Sequence, residues 1–218
     1  MKQFLKNERG NGMLFTIFNL AVVGAMMILI LNIAMLYTKK EQASIAAEQA
    51  SLAATSVVYD KVNPVVTSHV KKILIGIDKD GGEIFKFEPL IEKLDEAKDL
   101  IRASNPDLSE NEVHIKGVNQ VLISELSDDE ELMDKINSAI SSAKYEIPNV
   151  IKSTIKDNRG KDGYTEYEWS LTSDYRIEVF AKAEFEAVHY RDIDFGDDGD
   201  IKERGLGPAI SFLGETGW

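Results

Sequence analysis

The chain has 218 residues, 44% of them hydrophobic, with 25 Lys and Arg against 37 Asp and Glu, a formal net charge of -12. An acidic balance of that size excludes nucleic acid as a partner, because phosphate contacts need a basic footprint. The absence of cysteine excludes disulfides, thiol catalysis and cysteine-type zinc sites together.

Residues 1–12 form a short basic leader containing Lys2, Lys6 and Arg9. Met13 to Tyr37 follows without a charged side chain. As a helix at about 1.5 Å per residue this stretch spans about 37 Å, enough to cross a hydrocarbon core of about 30 Å with some tilt. A soluble helix of that length carries a polar stripe, whereas only Thr16, Asn19 and Asn32 interrupt this one. The run exceeds the roughly 7–15 apolar residues of a cleaved secretory signal, and no small-x-small site follows it in a polar break. It therefore reads as an uncleaved signal anchor. Three basic residues precede the span, while Lys39 and Lys40 follow it, a weak bias toward a cytoplasmic N-terminus. Without Lys2, Lys6, Glu8 and Arg9 the remainder holds 22 basic against 36 acidic residues, a net of about -14. That charge suits a solvated domain outside the cytoplasm. The expected location is the cell membrane, crossed once, with the lipid bilayer as the first partner.

Thr38 to about Val62 reads as a continuation of the membrane helix. Ala43, Ala46, Ala50, Ala53 and Val57 repeat at alternating intervals of three and four, a narrow seam that lets another helix approach closely. Two readings stay open: a helix of a neighbouring subunit, or the chain's own globular domain. Asn63-Pro64 marks a kink or stop, since the residue before proline resists helical geometry. Val65 to Ile77 is ambiguous between helix and strand, and Asp78 to Gly82 is a turn. A helix begins near Pro89, with Leu90, Leu94, Ala97 and Ile101 on one face, and ends by Asn105-Pro106. Val113 to Ile123 leans toward strand. Ser127-Asp128-Asp129-Glu130 matches a capping box and opens a helix with Leu132, Ile136, Ala139, Ala143 and Ile147 inward, which Pro148 breaks or kinks. The clearest strand is Ile177 to Ala187, where apolar and polar residues alternate strictly, as on the half-buried face of an antiparallel sheet. Tyr164 to Leu171 is its hairpin partner, and Gly196 to Trp218 looks loosely structured. The expected fold is α+β. Its parts are leader 1–12, transmembrane helix 13–37, helical stalk 38–63, exported α+β domain 64–195 with an antiparallel sheet, and glycine-rich tail 196–218.

Chemistry-bearing motifs are sparse. Ala21, Gly24 and Ala25 make a small-residue patch of the kind that lets membrane helices pack. Asn19 is a candidate for a helix–helix hydrogen bond, while Asn32, near the outer end, reaches the interface. The acidic run Asp192 to Asp200 departs from the EF-hand pattern, with glycine at its fifth position and no closing Glu, and Asp78 to Glu83 departs likewise. His69, His114 and His189 have no paired metal-ligand spacing. No nucleophile elbow, P-loop or dinucleotide fingerprint occurs. Neither an enzyme nor a cofactor nor a small-molecule substrate is expected.

Glu8-Arg9-Gly10-Asn11 before the span, then the apolar run and an alanine- and glutamine-rich helix, resembles the N-terminal region of the Tad (Flp) pilus-assembly family, the TadE/TadG-like proteins. The matching stretch runs from about Glu8 to Ala54. The resemblance implies a structural or assembly component, minor-pilin-like, of a Tad/Flp-type pilus or type IV-related secretion system. Its partners would be other single-pass subunits. Processed pilins carry Glu five residues after the cleavage-site Gly; here Phe15 and Ile17 stand five after Gly10 and Gly12, so an unprocessed, permanently anchored subunit is favoured. The alternative is a membrane-tethered extracytoplasmic binding or sensing module unrelated to pili.

Overall fold

The computed structural model describes residues 8–78, 82–159, 166–188 and 199–218. It begins with one helix, α1 (Glu8–Ser68), of 61 residues, about 90 Å long at the ordinary helical rise. Its N-terminal part is long and apolar enough to cross a membrane. There follow β1 (Val70–Ile77), β2 (Glu83–Pro89), α2 (Leu90–Ser104), α3 (Glu110–Glu125), α4 (Glu130–Arg159), β3 (Tyr167–Leu171), β4 (Arg176–Phe185) and β5 (Gly199–Ala209). The architecture is α+β, with an antiparallel hairpin β1–β2 and a separate antiparallel sheet in the order β3-β4-β5.

The core forms where the outer half of α1 is wrapped by the rest of the chain. Ala43, Ala46, Ala47, Ala50, Ala54, Val58, Val62 and Val66 are all fully buried. They meet α4, whose Leu132, Ile136, Ile140, Ala143, Ile147, Ile151 and Ile155 lie along one stripe at three- and four-residue intervals. Ile177, Val179 and Ala181 of β4 close the core from the sheet side. Small residues on α1 let β5 come closer than ordinary side chains permit. A methyl group on Gly205 would lie 2.2 Å from the main-chain carbon of Ala47, and one on Gly207 2.3 Å from Thr55 Oγ1.

Several elements differ from the sequence reading for identifiable reasons. Val113 to Ile123 is helical, not strand. Its buried positions Val113, Gly117, Val118, Val121 and Leu122 follow the helical period, and Ser109 with Glu112 makes the capping box that starts the helix. Glu112 N–H donates to Ser109 Oγ at 3.3 Å and Ser109 N–H to Glu112 Oε2 at 2.9 Å. The box expected at Ser127 does not form. Leu126–Asp128 is a single 3-10 turn, and Asp129 caps α4 by accepting from Leu132 N–H at 2.9 Å. Neither Pro64 nor Pro148 ends its helix. Beyond Pro64, Thr67 and Ser68 hydroxyls donate back to the carbonyls of Asn63 and Pro64, and Tyr167 Oη donates to the Pro148 carbonyl at 3.0 Å. The final stretch is ordered: β5 pairs with β4 along nearly its whole length, and Ile210, Phe212 and Leu213 beyond it are buried. Gly205, Gly207 and Gly214 are contact residues rather than signs of a loose tail.

Gly205→Ala is expected to cost at least about 1–3 kcal/mol by overpacking, read as a lowered thermal midpoint in detergent. Gly117→Ala is expected to cost much less. Its added methyl would meet side chains rather than main chain, Lys98 Cγ at 3.0 Å and Leu94 Cδ1 at 3.1 Å.

Candidate functional site

No group of three or more His, Asp or Glu side chains among the described residues could hold a metal. The acidic run from Asp192 lies almost wholly outside the described residues, as do Asp80 and His189. His69 and His114 serve packing instead. His69 is buried beside Asp129, Nε2 to Oδ2 2.7 Å, and His114 Nε2 lies 3.0 Å from Asn63 Oδ1. Burial holds the His114 imidazole below its ordinary pKa, helped by Lys98. The outer face of the three-stranded sheet carries the ion pairs Lys182–Glu166 and Lys202–Glu168, which neutralise each other. Candidate function therefore rests on apolar surface, of which three tracts stand out among the described residues.

The first is the inner half of α1. Met13, Phe15, Phe18, Leu20, Met27 and Ile30 are each more than 60% exposed. Asn19, Ala21 and Gly24 are likewise open, Ala25 half-buried, and nothing lies within 4 Å of a methyl placed on Gly24. Glu8, Arg9, Gly10 and Asn11 form the first turn of α1.

The second is a stripe on the outer half of α1. The seam Ala43, Ala46, Ala50 and Val57 is occupied by the chain's own domain, and Ala53 is only half-buried. Of the two readings left open, the structure realises packing on the chain's own domain. The buried face is broader than the seam, taking in Ala47, Ala54 and Val58 as well. What stays uncovered is the opposite side, with Ile45 40% and Leu52 51% exposed and seven residues apart.

The third tract is the hairpin. Register places Leu74 opposite Phe85 and Lys72 opposite Phe87, so Val70, Lys72, Leu74, Phe85 and Phe87 share one face. Leu74, Phe87 and Ile77 are 52%, 63% and 70% exposed, and Lys72 Nζ sits 3.6 Å above the Phe85 ring. The other face is fastened to the body through Glu125. That carboxylate accepts from Lys71 at 3.0 Å and Lys93 at 2.7 Å, while Lys93 also pairs with Glu88. The hairpin thus turns its apolar face outward. The sequence showed the turn at Asp78 but the reading missed β2, although Phe85 and Phe87 alternate with Lys86 and Glu88.

Asn119 was also missed. It donates to Tyr59 Oη at 2.9 Å and to the Ala209 carbonyl at 3.3 Å, and accepts from Phe212 N–H at 3.3 Å. Burial pushes the Tyr59 phenol up to about 12, against the opposing Asn119 hydrogen bond.

Residues 10–57 match the family model described as putative Flp pilus-assembly TadE/G-like. The match covers the apolar part of α1 and its alanine-rich continuation, the same stretch whose resemblance was read from Glu8 to Ala54. That family is one of pilus assembly rather than of enzymes. No curated protein and no solved structure matches the chain.

The Glu125 node makes stability acid-sensitive. Burial raises the Glu125 pKa, but hydrogen bonds from Lys93 and Lys71 outweigh it and leave the group below its ordinary value. Asp129 is lowered in the same sense: burial is overcome by Leu132 N–H and His69. Depressed folded values mean stability present above the unfolded carboxyl pKa values, about 4, and lost as pH falls through the lower folded ones. The thermal midpoint is expected to fall below about pH 4.5. Glu125→Gln should flatten part of that slope and cost about 1–2 kcal/mol at pH 7.

Proposed function

We propose that this protein is a structural or assembly component, minor-pilin-like and unprocessed, of a Tad/Flp-type pilus or type IV-related secretion system. The observation that carries the reading is the TadE/G-like match over a helix whose most apolar stretch is not buried among the described residues. Residues 1–12 lie in the cytoplasm and the inner half of α1 spans the membrane. The part from residue 38 onward stands outside, consistent with the three basic residues before the span and the acidic remainder. Within the bilayer, Ala21, Gly24 and Ala25 allow a neighbouring helix to approach, and Asn19 offers a hydrogen bond between helices. Outside it, subunits meet along Ile45 and Leu52 and on the outward face of the hairpin. The role is mechanical: no substrate is turned over and no cofactor is needed.

Photo-crosslinkers placed at Leu52 and at Phe87 in the native host should yield adducts with other single-pass subunits. Adducts with lipid alone, from a protein monomeric in mild detergent, would contradict the proposal. Asn19→Leu should lower co-purification of partner subunits severalfold without lowering the domain's thermal midpoint. Intact-mass measurement should find the leader present; a chain beginning at Asn11 or Met13 would show processing and remove the permanently anchored role.

A further inference from the structure

Asn32 is the one polar side chain in the outer part of the apolar run, and it is only 5% exposed. Its Oδ1 accepts from Val188 N–H at 2.8 Å and its Nδ2 donates to the Val188 carbonyl at 3.2 Å. Val188 lies three residues beyond Phe185–Gly199, the last β4–β5 pair among the described residues. The side-chain amide of Asn32 thus engages the donor and the acceptor of one main-chain residue together. Further along α1, Lys40 Nζ lies 3.8 Å from Glu203, and Gly205 rests on Ala47. The domain therefore touches α1 at Asn32 and Lys40 and encloses it from Ala43 on.

We propose that Asn32 marks the outer edge of the hydrocarbon core and that the domain is seated in the lipid headgroup layer. The proposal rests on the membrane-spanning reading of α1. A domain strand end hydrogen-bonded at Asn32 has polar backbone that the hydrocarbon core does not admit, so the bilayer has to stop there. Met13 to Leu31 then forms the span, about 28 Å of helix against a core of about 30 Å. Ile33, Met35, Leu36 and Tyr37, each at least 40% exposed, fall in the headgroup layer, which takes a tyrosine readily. Lys39 and Lys40 stand at its outer margin. The surface formed by the end of β4 and residues 33–37 of α1 is a lipid-headgroup contact, and it fixes the height at which subunit-binding surfaces are held.

Because the chain lacks cysteine, single spin labels can be introduced at positions 23, 27, 30, 34, 37 and 41 of the full chain in phospholipid vesicles. Collision rates with oxygen and with a water-soluble nickel chelate then give the depth of each. The expected profile has position 23 deepest and reaches the phosphate level between 32 and 37, with 37 as accessible to nickel as 41. A label at 37 with hydrocarbon-like depth would overturn the proposal while leaving the membrane reading intact. A nickel-accessible label at 23 would overturn the membrane reading itself. In Asn32→Leu the clamp is lost, and position 37 should become at least severalfold less accessible to nickel; an unchanged profile would show that the clamp does not set the boundary.

Discussion

On the membrane-spanning reading proposed above, one uninterrupted helix has to serve two solvents, and the other features of this molecule follow from how α1 meets that constraint. In hydrocarbon a helix satisfies its own backbone and is apolar on every side, which is the pattern from Met13 onward. In water the same helix needs one apolar face and a covering domain. The changeover falls between Asn32, the first buried residue of α1, and Ala43, the first residue of α1 in the apolar core. No glycine or proline intervenes between those two positions. The helix is given no break at which to bend, so force or position in the membrane passes directly into the domain.

Close approach is what makes the wrapping stable. Alanines at Ala43, Ala46, Ala47, Ala50 and Ala54 contribute little side-chain area individually. They bring backbone within reach of backbone, and the glycines of β5 complete the fit by having no side chain to exclude. Interiors packed this way respond to a single added methyl. The opposite end of the domain is held differently. The Glu125 carboxylate with Lys71 and Lys93, and Asp129 with His69, fasten the hairpin's base by polar contacts, leaving its apolar face free to meet a neighbour.

Much of this was legible in the sequence. The charge-free run fixed the membrane-length helix, strict alternation fixed β4, and three-and-four spacing exposed the inward stripe of α4. What escaped did so for physical reasons. Val113 to Ile123 contains enough β-branched residues to mimic a strand, and its helical identity depends on Ser109 and Glu112 outside the run. The prolines at 64 and 148 were read by their local cost, whereas each sits between fully buried residues, Val62 and Val66 or Ile147 and Ile151, whose packing holds the helix. Gly205 and Gly207 were read as looseness because their partner, α1, lies more than 150 positions away. The candidate surfaces divided likewise. The span could be read locally, whereas the hairpin's outward face depends on which side Glu125 binds, a tertiary fact. The alanine seam was visible, yet its occupant was not.

On the membrane-spanning reading, helix and domain core are mechanically continuous, one rigid rod. Spin labels at the exposed positions Val22 and Ser56, introduced as cysteines into the full chain in lipid nanodiscs, measure this continuity directly by dipolar spectroscopy. Thirty-four residues of unbroken helix give one narrow distance distribution centred near about 50 Å. A broad distribution, or one shifted well below that distance, would show a hinge between membrane and domain and would contradict the account.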